Sequence, residues 1–403
     1  MTSIPKIDEM IEAQDDSTGT LTCGVELEFL LPSIHYTRED PDPDIKNLHL
    51  FKSRSDTKRN LDTEIYEQLL ETLRQLDGVP FRTMEDDDYH PPHDNVVIYD
   101  SWRLGGDGSV SKNGTHSFTV ADGPYDWTSC ELTSPVMYSH DYATKIEDVC
   151  QVLKTIRIHL NQSTSVHVHV GRGDEPFSLL TVKKFATLYW LTEEAILGLH
   201  HPSRYENKCW LRLTDHSVLA VKSQAVLDND DLDLDDGVLV MEDYVPEASL
   251  TKLRRVQLRS IWNCRSIEEV AEFMCNERDT EPKTRAPFNR GSVGFKRFLP
   301  AGRTGGNIQT FEWRQMSGSV NANHINQWIK ACIAFTDFCR LSNKQTFKEA
   351  IKKVIARGEN YTGIELLEDL NIETQIFKDM QKMWAQDPHF CEDNQGKKLF
   401  FSA

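Results

Sequence analysis

The chain has little that would send it out of the cytoplasm. Its first twenty residues include Asp8, Glu9, Glu12, Asp15 and Asp16 and lack the basic start and apolar run of a secretory signal. No window approaches the ~18 consecutive apolar residues that a membrane span needs. A soluble, cytoplasmic protein with no membrane partner is the expectation. The nine cysteines are an odd number with no C-x-x-C pair, so neither a disulfide framework nor a thiolate zinc site is indicated. With a net charge of −18 and no long Lys/Arg run, the chain would repel a nucleic-acid backbone. There is no G-x-x-x-x-G-K-[ST] loop, and Gly105, Gly106 and Gly108 lack the strand-to-helix setting of a dinucleotide fingerprint. A nucleotide phosphate would have to be held some other way.

What is present is a globular composition, 39% hydrophobic and 27% charged over 403 residues, enough for one large domain with insertions or for two. Leu21 to Leu31 reads as a strand after a polar, frayed stretch 1–20. Between Ile34 and Asn95 lies a Pro-, His- and acid-rich segment around one amphipathic helix (Leu61, Ile65, Leu69, Leu73, Leu76), which reads as an insertion. Asp141 to Leu160 and Leu179 to His200 carry helical spacing, and Thr164 to Val170 reads as the strand between them. The acidic block Asp228 to Asp243 reads as a solvated loop. A Gly/Arg-rich loop, Gly291 to Gly306, leads to a strand Asn307 to Arg314, and three further helical patterns run from Asn323 to Trp384.

Side chains two apart on a strand share a face. In Val25-Glu26-Leu27-Glu28-Phe29, two carboxylates oppose three apolar side chains. Val166-His167-Val168-His169-Val170 does the same with two imidazoles, and Phe311-Glu312-Trp313-Arg314 with a carboxylate and a guanidinium. Taken singly, each pattern is more often a solvated face or a surface ion pair. Taken together, they make a hard-ligand set suited to Mg²⁺ or Mn²⁺ carrying a nucleotide phosphate, and zinc would more naturally bring Cys or more His.

In this order, Gly24-Val25-Glu26-Leu27-Glu28-Phe29, Asp107-Gly108-Ser109, Glu131-Leu132-Thr133-Ser134-Pro135, Ser165 to Gly171 and Thr310 to Arg314 resemble the amidoligase branch of the glutamine synthetase and glutamate–cysteine ligase superfamily. The resemblance spans roughly Gly24 to Trp328. It implies an α+β fold whose antiparallel sheet forms a funnel flanked by helices. The catalytic domain would occupy 21–340, with insertions near 34–95 and 227–287, and 341–403 would form a helical extension.

The resemblance also implies ATP and Mg²⁺ as cofactors, Mn²⁺ being able to replace Mg²⁺. Glu26, His167 and Glu312 would hold the cation bridging the nucleotide phosphates, and Glu28 and Glu131 the one nearer the reacting carboxylate. Arg314 and Arg303 would steady the transferred phosphoryl group, while His169 and Arg204 would contact the carboxylate substrate. The third ligand of the substrate-side cation is open: Asp107 is a candidate, with a turn residue as its plainer reading.

The activity so implied is an ATP-dependent carboxylate–amine ligation through an acyl phosphate, on small-molecule carboxylate and amine substrates. Three alternatives stand beside it. A phosphotransferase on the same fold would release a phosphorylated product without an amine. A cupin-like metal-dependent oxygenase would bind a redox metal through the His-x-His pair, and an inactive scaffold would be expected to have lost some of the five ligand positions. General base, substrates and oligomeric state are not legible.

Overall fold

The computed structural model describes residues 16–55, 57–76, 78–84, 99–111, 124–205, 210–228, 239–276, 290–300 and 308–386. Its centre is a nine-stranded, mostly antiparallel sheet. Strand β1 (Thr22–His35) continues past the expected Leu31, because after Leu31 it gains a parallel neighbour, β2 (Phe51–Ser53), in register Ser33 to Phe51. The remaining strands are β3 (Phe81–Thr83), β4 (Trp102–Gly105), β5 (Asp126–Thr133), β6 (Met137–Tyr138), β7 (Ser165–Gly171), β10 (Val293–Gly294) and β11 (Thr310–Ser317). The sheet runs β10-β11-β7-β1-β5-β4-β3, with β2 and β6 also on β1. This path has two ends, so the described strands form no closed barrel of the kind that the oxygenase alternative requires. A separate pair, β8 (Trp210–Leu211) and β9 (Arg290–Gly291), is parallel.

One face of the sheet is apolar and packs on helices. Val25, Leu27 and Phe29 of β1, Val166, Val168 and Val170 of β7, and Phe311 and Trp313 of β11 belong to one continuous core. Helix α1 (Lys58–Leu73) buries Leu61, Ile65, Leu69 and Leu73 in that same core, so the stretch 34–95 supplies both core and sheet. Helix α2 (Tyr142–Leu153) is shorter than the spacing to Leu160 predicts. After Leu153 the chain turns, and Ile156 and Leu160 are buried from an extended segment that bridges His49 and Leu30. Helix α3 (Leu179–Leu197) begins at Ser178, whose side chain accepts from the Thr181 amide, and it is buried nearly all round. Its Phe185 stacks on Phe311 with ring centroids 3.6 Å apart.

Where three helical patterns are expected from Asn323 to Trp384, the described residues form four helices: α4 (Ala322–Leu341), α5 (Lys344–Arg357), α6 (Gly363–Asp369) and α7 (Gln375–Gln386). Residues 16–20, expected to fray, are tied down. Asp16 accepts from the Ser178 amide and the Thr181 hydroxyl, each at 2.8 Å. The buried Arg340 donates to the carbonyls of Asp16, Thr18 and Gly19. No described helix is long and apolar enough to cross a membrane.

Candidate active site

The polar face of the sheet lies opposite this core, and its register decides which side chains meet. Ser134, at the end of β5, accepts the Val25 amide at its hydroxyl and donates its own amide to the Val25 carbonyl, both at 2.8 Å. With Pro135 ending the strand, that pairing sets Glu131 directly opposite Glu28 and Thr133 opposite Glu26. On the other side of β1, Glu26 faces His167, and one strand further on Glu312 faces His169.

Two groups of ligand atoms result. In the first, one ligand atom from each of Glu26, His169 and Glu312 lies within 4.8 Å of the others. Glu26 receives His167 Nδ1 at 2.7 Å and His169 Nε2 at 3.1 Å, and the Thr310 hydroxyl, 3.2 Å from His169 Nδ1, fixes that ring. Burial alone would raise the Glu26 carboxyl, but His169 and His167 hold it well below the usual carboxylate range. Burial would likewise raise Glu312, and the Arg314 guanidinium in contact with it brings it down.

In the second group, Glu28, Asp107 and Glu131 bring one oxygen each within 4.8 Å. Burial pushes Glu28 up to about 7, and burial together with Glu26, Asp107 and Glu28 pushes Glu131 well above its ordinary value. Asp107, which burial would raise, is held low by the hydroxyl and amide of Ser109. Asp107 is thus both a turn residue and a member of the group.

Beside the first group opens a cavity of about 450 Å³ whose wall includes Tyr99, Pro135, Val136, Tyr138, His169 and Arg297. Its size and its aromatic and aliphatic side suit a small organic ligand.

Of the expected residues, the structure brings Glu26, His167, His169, Glu312 and Arg314 together and sets Glu28 and Glu131 beside them. His169, expected at the substrate, meets Glu26 and Glu312 in the first group; His167, expected there, does so too, its Nδ1 2.7 Å from Glu26 and 3.9 Å from Glu312, and its Nε2, 3.7 Å from Glu28, reaches toward the second group. Arg204 commits its Nε to the Gln315 carbonyl and its Nη2 to the Arg314 carbonyl and the Ser165 hydroxyl. Arg303 lies outside the described residues. Arg297 and Gly294 border the site, and no local motif marks either.

The second group fits a hard cation, and the first offers two carboxylates and an imidazole to one. Three converging carboxylates repel one another unless one is protonated or a cation lies between them, and Glu28 Oε2 is buried with no hydrogen-bond partner among the described residues. A family model described as "Putative amidoligase enzyme" matches residues 19–234. It covers more than half of the chain, including β1, β5 and β7 but not β11. No curated protein and no solved structure matches.

Proposed function

Because this chain belongs to the amidoligase family, we propose that it is an ATP- and Mg²⁺-dependent carboxylate–amine ligase on a sheet of the glutamine-synthetase type. The observation that carries this reading is the pair of ligand groups on one face, joined by His167 and flanked by Arg314 and the 450 Å³ cavity. A carboxylate does not condense with an amine unaided, because its carbonyl is resonance-stabilised and oxide is a poor leaving group. Transfer of the ATP γ-phosphoryl group forms a carboxylate O–P bond as the β–γ P–O bond breaks. The amine nitrogen then forms the C–N bond, phosphate leaves with the C–O bond, and the proton lost from nitrogen passes to solvent.

Glu26, His167, His169 and Glu312 would hold one cation, and Glu28, Asp107 and Glu131 a second. When bound, such ions neutralise phosphate and carboxylate oxygens. The chain's own contributions are positional and electrostatic. The cavity beside Glu26 takes the nucleoside, and Arg297 on its wall steadies the phosphates. Arg314, kept cationic beside Glu312, balances the charge that grows on the transferred group. Removing such a donor costs ~10²–10³ in rate.

The test is phosphate release from ATP and Mg²⁺ with pooled amino acids and amines, followed by mass spectrometry, with Glu28→Gln and chelator as controls. A product lighter than its two substrates by one water, lost in both controls, supports the ligase. Accumulation of a phosphorylated compound that needs no amine overturns it in favour of a phosphotransferase.

A further inference from the structure

The ladder between β11 and β7 slips once. Trp313 pairs with Val168, and the next pairing is Met316 with Val166, so three steps on β11 span two on β7. The extra residue makes a bulge at Arg314-Gln315, and bulges of this kind turn a side chain away from its regular direction. It also takes backbone groups of Arg314 and Gln315 off the regular ladder, where they need other partners.

Those partners come from outside the strand. On the other side of β11 the Arg314 amide keeps the β10 register and donates to the Ser292 carbonyl at 3.1 Å. The Arg314 and Gln315 carbonyls accept from Arg204, at 2.7 and 3.1 Å, and the same guanidinium reaches the Ser165 hydroxyl at 2.9 Å. The Gln315 side-chain amide donates to Tyr189 at 2.7 Å, and Tyr189 donates to the Ser292 hydroxyl at 2.8 Å. Ser292 in turn donates to Glu193, which also accepts the Leu213 and Thr214 amides. Arg204 and Glu193 are each 1% exposed. Two charged side chains are therefore buried around one bulge, a costly arrangement for a merely filled core.

We propose that Arg204 is a positioning residue for Arg314: its fork holds the two bulge carbonyls and so aims the Arg314 guanidinium at Glu312, without itself touching substrate. The kinetic part of this proposal rests on the ligase reading; the structural part does not. A lysine at 204 keeps the charge but cannot span two carbonyls and a hydroxyl as a planar fork does.

The experiment uses the full chain with Arg204→Lys, Ser165→Ala, Arg314→Ala and the double variant Arg204→Lys/Arg314→Ala. Mg²⁺·ATP-dependent phosphate release and amide hydrogen exchange of the 310–317 segment are measured on each. Arg204→Lys should lose about 10² in kcat, the size of effect that a misplaced catalytic group produces, with KM for ATP within about threefold of wild type. The double variant should be no slower than Arg314→Ala alone, because both changes disable the same group. Ser165→Ala, the milder change, should shift kcat in the same direction and keeps the test open if the lysine variant does not fold. Wild-type kcat in Arg204→Lys, or losses that multiply fully with Arg314→Ala, would overturn the proposal. If the wild type shows no turnover, the ligase reading fails and hydrogen exchange decides. Faster exchange at 310–317 with an unchanged melting temperature then supports the clamp, and unchanged exchange overturns it.

Discussion

Gly294 stands directly opposite Glu312 in the β10–β11 ladder, and a Cβ on Gly294 would lie 2.9 Å from Glu312 Oε2. The bare backbone of this edge strand gives the carboxylate its place beside His169 and Arg314.

Gly294→Ala should therefore act on the site before it acts on the fold. The methyl group meets first the carboxylate end of Glu312, which can swing away, and then its Cβ at 3.2 Å, which a small shift of the edge strand relieves. Turnover should fall at least tenfold, since displacement by about 1 Å can cost 10²-fold. The melting temperature should stay near wild type. Calorimetry beside the phosphate-release assay checks both halves, and unchanged turnover would mean that Glu312 works from another position.

Glu28→Gln should have opposite effects with and without cations. In cation-free protein, removing one of three crowded carboxylates relieves repulsion and should raise stability by about 1 kcal/mol. Adding Mn²⁺ at 100 times its dissociation constant should stabilise the wild type by about 2.7 kcal/mol and the variant clearly less. Thermal melts with and without Mn²⁺ give both numbers.

The same crowding sets a pH dependence. Glu28 rises from an ordinary value of 4.5 to about 7 in the folded chain, and Glu131 rises as well. Between those values the folded state binds protons that the unfolded state has lost. Cation-free protein should therefore lose stability as pH climbs from about 5 to 7, at up to ~1.4 kcal/mol per pH unit for each group. Glu26 and Glu312, held low, act with the opposite sign: their contribution is present above 4.5 and is lost as pH falls through their folded values. Denaturant melts across pH 4 to 8 with chelator present should show the decline, and Mn²⁺ should reduce it.

Arg297 stands on the wall of the cavity, with Nη2 3.3 Å from the Tyr99 hydroxyl. Arg297→Ala should raise KM for ATP about tenfold with a smaller change in kcat, the pattern of lost ground-state binding. A change confined to kcat would place the nucleotide elsewhere.

The three alternating strands were legible because a period of two needs only local sequence, and each opposes charged or imidazole side chains to apolar ones. Their joining was less so. That Glu131 faces Glu28 depends on Ser134 pinning the register, and that His169 joins His167 beside Glu26 and Glu312 depends on which rows of β7, β1 and β11 pair. Asp107 lies in a loop, where spacing says nothing of direction. The resemblance makes Arg204 a substrate contact, and the residues beside it do not reveal that its fork ends on carbonyls of β11. The apolar spacing predicts too long a helix α2, because Ile156 and Leu160 keep that spacing after the backbone has turned.

Strand β11 is supplied from beyond residue 234, yet it lies between β7 and the edge. A fragment cut to the matched stretch 19–234 would strip β7 of that neighbour. The backbone groups that β11 satisfies, and the side chains of Val166, Val168 and Val170, would then be open to another chain, the usual template for edge-to-edge aggregation. Expression of 19–234 alone should yield insoluble protein, and supplying 290–386 as a separate polypeptide should restore solubility by completing the sheet.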